Sequence, residues 1–373
     1  THTDKTTHLR YLLPLQRSHL MDDVILFHGH RSESIFFNPF LESLQNKNML
    51  VTGSSGGGKS VFVNKLVHNL AASYPTVILD KGASFKKTTL YHAGTTISGG
   101  INPLEFKDPL FLREIILSVA GSHNFNELDK GKLLCAIKKA LQENPEISIF
   151  GQLISILESE FTGMHFYFEE LKEHFAGPML GETPILYVDL ANYPKAFITP
   201  LILYVLQYFK NLKNSQKVLV IDECWSFLKC HGEFIDECFR AFRKAGAASI
   251  AISQGLADFK NEDEKIYSSI ANNAHFKILF PQEGLDHCEL SEFDKERVQY
   301  LKFAKGQYSE CYLKSADNRI RKIIKIYLSP LELELFHTEQ GEDKLLNNFL
   351  EDNQNYFSTN KEAINAFVRL KHA

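Results

Sequence analysis

Residues 48–70 read NMLVTGSSGGGKSVFVNKLVHNL. An apolar run typical of a buried strand comes first, and apolar residues at helical spacing come last. Between them, residues 53–60 match G-x-x-x-x-G-K-[ST] at every fixed position, and the order strand, glycine loop, helix is the context that this motif requires. A flexible turn that merely contains a lysine would not need these flanks. The stretch therefore predicts a P-loop, the loop that binds the phosphates of a nucleotide.

Each part of the predicted P-loop has a chemical role. Glycines let successive backbone N–H groups point at a triphosphate without obstruction, and the N-terminus of the following helix adds partial positive charge. Lys59 is expected to reach the β- and γ-phosphates, and the Ser60 hydroxyl is expected to bind Mg²⁺. The predicted cofactors are ATP and Mg²⁺, with the choice of base left open. The residues expected to contact the nucleotide are Gly53, Ser54, Ser55, Gly56, Gly57, Gly58, Lys59, Ser60 and Val61.

The stretch KVLVIDE, residues 217–223, supplies the second half of the predicted site. Asp222 is expected to hold Mg²⁺, directly or through water, and Glu223 to polarise the attacking water. A hydrophobic run that ends in acids is weak evidence alone, because strands often end in this way. It becomes strong evidence when an intact P-loop lies upstream, so we interpret the run as a Walker B strand.

A polar residue follows the next predicted strand, ASIAIS, residues 248–253. Side chains at the carboxyl end of a strand lie on the ligand-binding edge of an open α/β sheet. Gln254 is therefore expected to sense the γ-phosphate or position water, with a plain strand-end cap as the alternative. Because this strand follows Walker B directly, we predict that it is inserted between the P-loop and Walker B strands, as in RecA-like motors.

Two arginines lie between Walker B and Gln254, in the segment FRAFRKAGAAS. A guanidinium is well suited to stabilise the charge on transferring phosphoryl oxygens. If subunits form a ring, Arg243 is a candidate catalytic finger that reaches a neighbour's nucleotide, and Arg240 is a weaker one. The alternative is a cation that offsets the dipole at a helix C-terminus, and both interpretations of Arg243 stay open.

The remaining pattern predicts an α/β fold with a helical insertion. Apolar strands alternate with helical stretches, which is typical of a parallel sheet covered on both faces. Four amphipathic segments, separated by short polar breaks and without a strand, lie between about residues 108 and 176. We therefore predict a discontinuous RecA-like motor domain, residues 1–104 and 183–373, and an all-α inserted subdomain, residues 105–182. The remaining expected strands are TVILD (76–80), PILYVDL (184–190) and FKILF (276–280).

The two ends of the chain have patterns of their own. Residues 1–47 are expected to be a β-rich entry segment, in which residues 24–27 and 34–37 are strand-like. Residues 306–314 and 319–329 are expected to form a peripheral hairpin, and residues 330–373 are helical and polar.

Composition narrows the class of protein. With 373 residues, 44% hydrophobic and 23% charged, the chain has the balance of an ordinary globular protein. The net charge of −4 gives no overall attraction to nucleic acid, so any such contact requires a local patch. No apolar run is long enough to cross a bilayer, and six scattered cysteines favour reduced thiols in the cytoplasm. The first residue is Thr1 and not Met, which suggests a processed form or a piece of a longer chain.

Six stretches occur together in an order similar to that of one family. They resemble the type IV secretion ATPases of the Vir B-four class, which includes the TraC-like and TraG-like conjugation ATPases. The resemblance spans about residues 15–340 and is more specific than Walker A and B alone. The stretches are NMLVTGSSGGGKSVFVNKL (48–66), VILDKGASFKK (77–87), GINPLEF (100–106), VLVIDECWSFL (218–228), FRKAGAASIAISQGLADF (242–259) and LSPLELELF (328–336).

The resemblance implies a hexameric HerA/FtsK-like ATPase, peripherally associated with the cytoplasmic face of a bacterial inner membrane. Its partners would be other secretion subunits, including channel components and a coupling ATPase, and it would power channel or pilus assembly and substrate transfer. This chain would be the C-terminal motor, which can be monomeric in isolation. The site implied by residue matching is Gly58, Lys59, Ser60, Asp222, Glu223, Gln254 and, from a neighbour, Arg243.

Two other functions remain as alternatives. A coupling protein that pumps DNA ranks lower, because the sequence shows no transmembrane anchor and no strongly basic face. A scaffold whose bound nucleotide only drives oligomerisation would not need a water-activating carboxylate at Glu223. Relatives are often more polar at residues 246–248 than the Gly-Ala-Ala of this chain, and this departure leaves the catalytic assignment intact.

Overall fold

The computed structural model describes most of the chain. The described residues are 25–30, 33–40, 44, 46–214, 216–223, 242, 244, 246–255, 273–285, 290–304, 307–337, 340–353 and 355–372.

One mixed sheet of twelve strands forms the centre of the described fold. In chain order the strands are β1 Ile25–Gly29, β2 Ser34–Phe37, β3 Met49–Thr52, β4 Thr76–Asp80, β5 Thr95–Ile97, β6 Ile185–Asp189, β7 Val218–Ile221, β8 Ala248–Ser253, β9 Phe276–Leu279, β10 Phe303–Ala304, β11 Tyr308–Ser315 and β12 Arg321–Ile326. Their order in the sheet is β2-β1-β12-β11-β9-β3-β8-β7-β4-β6-β5, and β10 pairs with β11.

The strands from β9 to β5 are all parallel and contain the predicted site. The P-loop strand β3 pairs with β8 in the register Thr52↔Ser253, and β8 pairs with the Walker B strand β7 in the register Ile221↔Ala251. The predicted inserted strand is therefore confirmed. Because parallel strands end at the same edge, the P-loop, Walker B and Gln254 all lie at the carboxyl edge of the sheet.

The predicted hairpin near residue 315 forms, but its expected peripheral position is wrong. Strand β11 pairs antiparallel with β9 and with β12, and β12 pairs with the entry hairpin β1–β2. Strand β11 is buried on both faces, because Cys311 packs on the side of the P-loop helix and Tyr312 on the opposite side. The entry strands therefore extend the central sheet. Strand β5 was not predicted, since three residues are too few to show a pattern.

Helices cover both faces of the sheet. On one face Phe62 and Leu66 of the P-loop helix pack with Val51. On the other face Leu50 packs with a cluster that includes Val205. Successive residues of β3 are thus buried on opposite faces, as the continuous apolar run predicts. The α-helices are Lys59–Leu70, Lys86–Tyr91, Pro109–Ala120, Glu127–Glu143, Phe150–Leu157, Lys195–Asn211, Glu292–Gln299, Pro330–Phe336, Gln340–Asp352 and Asn360–Lys371.

The predicted insertion contains helices and no strand. Every residue from 98 to 184 is described, and none is in a strand. The first three amphipathic segments form α-helices, whereas the fourth forms the 3₁₀ helices Met164–Tyr167 and Glu169–Phe175. Leu112 and Leu153 belong to the same buried cluster as Leu201 of the helix Lys195–Asn211 and Leu50 of β3. The insertion thus shares a core with the sheet, and the boundaries 105–182 stay a prediction.

The C-terminal segment is helical, as predicted. Its polar sequence nevertheless contributes a small buried cluster in which Phe336, Leu346 and Ile364 pack with Tyr91. Lys65 of the P-loop helix forms an ion pair with Glu332. The C-terminal helices therefore pack on the P-loop side of the sheet. None of the helices in the described part of the chain combines the length and apolarity that a membrane span requires.

A glycine inside a helix offers a stability test. A methyl group at Gly131, within Glu127–Glu143, would meet no atom within 4 Å. We expect Gly131→Ala to raise the free energy of unfolding by about 0.5–1 kcal/mol, because alanine loses less backbone entropy in a helix. Chemical denaturation measures the change. Gly58→Ala is the opposite control, since φ is +104° there and the methyl would lie 2.5 Å from Ser309 Oγ. Equal shifts in the two variants would contradict the prediction that backbone conformation and free space decide the effect.

Candidate nucleotide-binding site

The P-loop has the backbone shape that its glycines predict. Gly56 and Gly58 have φ angles of 76° and 104°, in the left-handed region that glycine adopts readily. A methyl group at Gly53 would lie 2.4 Å from Phe280 Cβ, so a glycine is needed there for the loop to pack this closely against Phe280. The loop between β3 and the P-loop helix is therefore a narrow backbone cradle.

Two neighbouring strands hold the loop in place. The Ser54 backbone N–H donates to the carbonyl oxygen of Pro281, after β9, at 3.0 Å. The Ser309 hydroxyl, on β11, donates to the Gly57 carbonyl oxygen at 2.8 Å. The sequence reasoning missed Ser309, because its contact with the P-loop depends on the sheet order. These bonds fix the loop on the side away from Walker B.

Lys59 lies inside the curve of the loop. Its side chain is 8% exposed, and Nζ donates to the carbonyl oxygens of Gly53 at 2.6 Å and Ser54 at 2.9 Å. The ammonium group is thus held where phosphate oxygens would bind. Ser60 follows in the first turn of the helix, as the predicted Mg²⁺ ligand requires. Of the other predicted contacts, Ser55 and its neighbours are exposed, and Val61 is partly buried.

Asp222 and Glu223 lie at the end of the Walker B strand. Burial and the nearby Asp80 raise the pKa of Asp222 to about 7, and the Lys59 ammonium opposes this rise. The Glu223 backbone N–H donates to Asp222 Oδ1 at 2.9 Å. The P-loop and Walker B strands lie on either side of β8 and end at the same edge of the sheet, so Lys59 and Asp222 belong to the same edge. An excess of buried negative charge here suits a site completed by a cation.

Gln254 contacts the candidate base directly. Its Nε2 donates to Glu223 Oε1 at 2.9 Å. The bond joins the residues that follow the neighbouring strands β8 and β7. Glu223 has a φ angle of 54°, which is uncommon for a residue with a side chain and is often found at functional sites. The structure therefore brings Glu223 and Gln254 together. Arg243 lies outside the described residues, and its catalytic role stays a prediction.

A third acid was missed by the sequence reasoning. Asp80 ends β4, beside β7, and is fully buried. It accepts hydrogen bonds from the backbone N–H groups of Gly82 at 2.8 Å and Ser84 at 2.7 Å, and from the Tyr187 hydroxyl at 3.1 Å. Burial raises the pKa of Asp80. A signal was present, because TVILD is an apolar strand that ends in an acid, like the Walker B strand.

Asn64 joins the P-loop helix to the loop after β4. The side chain is fully buried, and its Nδ2 donates to the carbonyl oxygens of Ser60 at 3.1 Å and Ser84 at 2.9 Å. Its Oδ1 accepts from the Thr88 hydroxyl at 2.7 Å. The Ser84 backbone N–H also donates to Asp80. One chain of hydrogen bonds therefore extends from Asp80, on the strand beside Walker B, through Asn64 to the backbone of Ser60, the predicted Mg²⁺ ligand.

The residues present fit a magnesium nucleotide. The glycine loop is lined by backbone and leads into the N-terminus of the helix Lys59–Leu70, which suits phosphate oxygens. A hydroxyl at Ser60 and a carboxylate at Asp222 are ligands that Mg²⁺ accepts alongside phosphate oxygens and water. Within the described ranges, no group of three or more His, Cys, Asp or Glu side chains could form a metal site of its own. Ser60 and Asp222 would supply two of the ligands and phosphate oxygens and water the others, so the cation would bind together with the nucleotide.

The raised pKa of Asp222 predicts a pH dependence of stability. Its ordinary value is 3.8 and its folded value about 7, so between these values the folded state holds a proton that the unfolded state has lost. The contribution of Asp222 to the free energy of unfolding then falls as pH rises through this range. Asp222→Asn removes the titration. Without nucleotide, we expect the variant to gain stability over wild type by roughly 1 kcal/mol per pH unit between pH 4 and 7.

Urea denaturation of both proteins across this pH range measures the difference. Glu182→Asn is the control, because Glu182 is exposed. A difference between Asp222→Asn and wild type that is constant with pH would contradict the predicted titration.

The strand order, the P-loop and the facing Walker B acids define a P-loop NTPase fold of the RecA-like type. Within that class, residues 32–172 and 194–370 match the TraG P-loop domain. The match covers most of the chain, and the protein belongs to this family. The resemblance drawn from the sequence motifs is therefore confirmed.

Individual relatives agree with the family. The chain is 21% identical over 374 residues to Protein TraC of Escherichia coli strain K12, a match covering 83% of this chain and 42% of TraC. It thus spans about two fifths of the length of that curated relative.

Two solved structures share the fold. VirB4 of Thermoanaerobacter pseudethanolicus has a TM-score of 0.64 and 17% identity, covering 83% of this chain and 97% of that chain. The plasmid coupling protein TrwB, in complex with ADP and Mg²⁺, has a TM-score of 0.50 and 16% identity, covering 79% and 87%. At these identities the likeness establishes the fold.

Proposed function

We propose that this chain is the ATP-hydrolysing motor domain of a type IV secretion or conjugation ATPase. The observation that carries the proposal is the convergence of Lys59 with Asp222, Glu223 and Gln254 at one edge of adjacent parallel strands. A scaffold that only binds nucleotide has no need of a carboxylate aligned by a neighbouring amide. Membership of the TraG P-loop family supports the same conclusion.

The residues divide the work between binding and water activation. The P-loop N–H groups and the Lys59 ammonium bind the phosphates, and Lys59 must leave the carbonyl oxygens of Gly53 and Ser54 to do so. Ser60 and Asp222 would hold Mg²⁺, which neutralises charge on the phosphate oxygens. Glu223 accepts a proton from the attacking water, and Gln254 orients the Glu223 carboxylate. Arg243 would act from a neighbouring subunit.

The partners and the place of action of the motor are proposed by similarity to its relatives. Because the chain is similar to TraC and VirB4, we propose that it works with other type IV secretion subunits. In the full machine it would act as a homo-hexamer. The proposed place of action is the cytoplasmic side of a bacterial inner membrane, with peripheral attachment. The net charge of −4 does not favour a nucleic acid cargo over a protein one.

Steady-state release of inorganic phosphate from Mg²⁺–ATP tests the proposal. The protein is assayed over a range of concentrations that includes its assembled form, and ATP binding is measured in parallel. Phosphate release that depends on Lys59 and Glu223 is the expected result. ATP binding with no phosphate release from any assembled form would overturn the motor proposal and favour the scaffold.

A further inference from the structure

Asn64 is a buried polar residue on the P-loop helix. Like the adjacent Val63, it is fully buried. A buried amide costs free energy unless it is hydrogen-bonded, and Asn64 uses both ends of its side chain. Its Nδ2 donates to the carbonyl oxygens of Ser60 and Ser84, and its Oδ1 accepts from the Thr88 hydroxyl. An apolar side chain would serve packing alone, so these bonds indicate a further role.

The two predicted Mg²⁺ ligands of the protein come from different layers of the fold. Ser60 lies on the P-loop helix, one turn before Asn64, and Asp222 directly follows the strand β7. Mg²⁺ requires a near-ideal octahedral arrangement, with ligands at about 2.0–2.1 Å. The helix and the strand must therefore be held at a fixed separation where the cation binds.

A series of hydrogen bonds connects the helix to the strand. Asn64 Nδ2 donates to the carbonyl oxygen of Ser84 at 2.9 Å, and the Ser84 backbone N–H donates to Asp80 at 2.7 Å. Asp80 ends β4, and the Asp222 backbone N–H donates to the carbonyl oxygen of Leu79 on the same strand at 2.8 Å. Asn64, Ser84 and Asp80 thus form a bridge from the P-loop helix to the strand beside Walker B.

The bridge lies on the side of the sheet that the P-loop helix covers. Ile78 of β4 and Val220 of β7 belong to the same buried cluster as Phe62 of the P-loop helix. Because side chains two residues apart along a strand point to the same face, Asp80 and Asp222 lie on the helix side. The bridge therefore spans the layer of the fold in which Mg²⁺ would bind.

We infer that Asn64 is a positioning residue for the Mg²⁺ site, which sets the separation of Ser60 and Asp222 by fastening the P-loop helix to the loop after β4. The inference rests on the proposed function and adds to it a residue that acts through Ser60. Thr88 fixes the orientation of the Asn64 amide, because its hydroxyl donates to Oδ1 at 2.7 Å and leaves Nδ2 for the two carbonyl oxygens. Groups that orient metal ligands in this way commonly tune metal affinity.

Binding of ATP with Mg²⁺, and with EDTA in place of Mg²⁺, tests the positioning role by calorimetry. Asn64→Leu removes the bonds and keeps a side chain of similar size. We expect it to raise the Kd for Mg²⁺–ATP about tenfold and to leave the Kd for ATP in EDTA unchanged. Thr88→Val removes only the hydroxyl and should show the same pattern, whereas Thr88→Ser keeps the hydroxyl and should bind like wild type.

Thr89→Val is the matched control. Thr88 and Thr89 are adjacent and both are buried, but the Thr89 hydroxyl donates to the carbonyl oxygen of Phe85 at 2.9 Å instead of to Asn64. Thr89→Val should therefore bind ATP like wild type with Mg²⁺ and with EDTA. Thermal melting of each variant shows whether the fold is kept.

The outcomes distinguish the positioning role from the motor proposal. If Asn64→Leu and Thr88→Val bind Mg²⁺–ATP like wild type, or lose affinity equally with Mg²⁺ and with EDTA, the positioning role is overturned while the nucleotide site stands. A loss in Thr89→Val as large as that in Thr88→Val would overturn it as well. If wild type binds ATP under neither condition, or if Lys59→Ala binds as well as wild type, the nucleotide site itself fails and the positioning role fails with it.

Discussion

Glu223→Gln is expected to lower the rate of phosphate release by about two to four orders of magnitude while ATP binding is kept. Loss of a general base has an effect of this size. The substitution removes the carboxylate that accepts the proton of the attacking water, and it keeps the size of the side chain. The P-loop and Lys59 are untouched, so the phosphates still bind. Steady-state phosphate release and calorimetric ATP binding, measured on the same preparation, check the two halves of this prediction.

The control for this variant is Glu182→Gln, which makes the same chemical change at an exposed position. It should release phosphate at the wild-type rate. If Glu223→Gln were as active as wild type, Glu223 would be removed from catalysis. The structural observation behind the prediction is the 2.9 Å hydrogen bond from Gln254 Nε2 to Glu223 Oε1, which restrains the carboxylate.

Lys59→Ala is expected to raise the Kd for Mg²⁺–ATP about 100-fold and to abolish measurable phosphate release. Hydrogen bonds from a charged donor to phosphate oxygens are among the strong ones, and Lys59 is the cation held inside the loop, with Nζ 2.6 Å from the Gly53 carbonyl oxygen. Calorimetry with ATP and with tripolyphosphate measures the loss, which should be equal for both ligands because the lysine contacts phosphates and not the base.

Lys322→Ala is the matched control, because it removes one positive charge from a side chain that is 55% exposed. It should bind ATP like wild type. A similar loss of affinity in both lysine variants would mean that overall charge, and not a contact with the phosphates, sets the affinity. Wild-type affinity in Lys59→Ala would contradict the assignment of the P-loop.

Local pattern was enough to predict the parallel half of the fold. Buried parallel strands read as continuous apolar runs, and ASIAIS and TVILD were predicted with the bounds that the structure shows. The position of β8 also followed from sequence order, because the strand after Walker B returns toward the P-loop strand. The P-loop itself is specified by consecutive residues, so its position needed no tertiary information.

The rest of the fold depends on contacts that chain order does not specify. The hairpin β11–β12 lies inside the sheet because β11 pairs with β9, and a local pattern cannot distinguish a peripheral hairpin from a central one. Ser309 contacts the P-loop, and Tyr327 contacts the helix after it, from positions more than two hundred residues further along the chain. Nothing in the local sequence of either residue marks this contact. Asp80 is different. Like Asp222, it ends an apolar strand, and applying the same rule to TVILD would have predicted it as a site residue.

A structure of the protein with Mg²⁺ and a non-hydrolysable ATP analogue tests whether one nucleotide joins the two halves of the site. We predict the β- and γ-phosphates in the P-loop within hydrogen-bonding distance of Lys59 Nζ, with Mg²⁺ between Ser60 and Asp222 and the γ-phosphate facing Glu223. A triphosphate bound away from the P-loop, or one whose γ-phosphate points away from Asp222 and Glu223, would contradict the proposed motor.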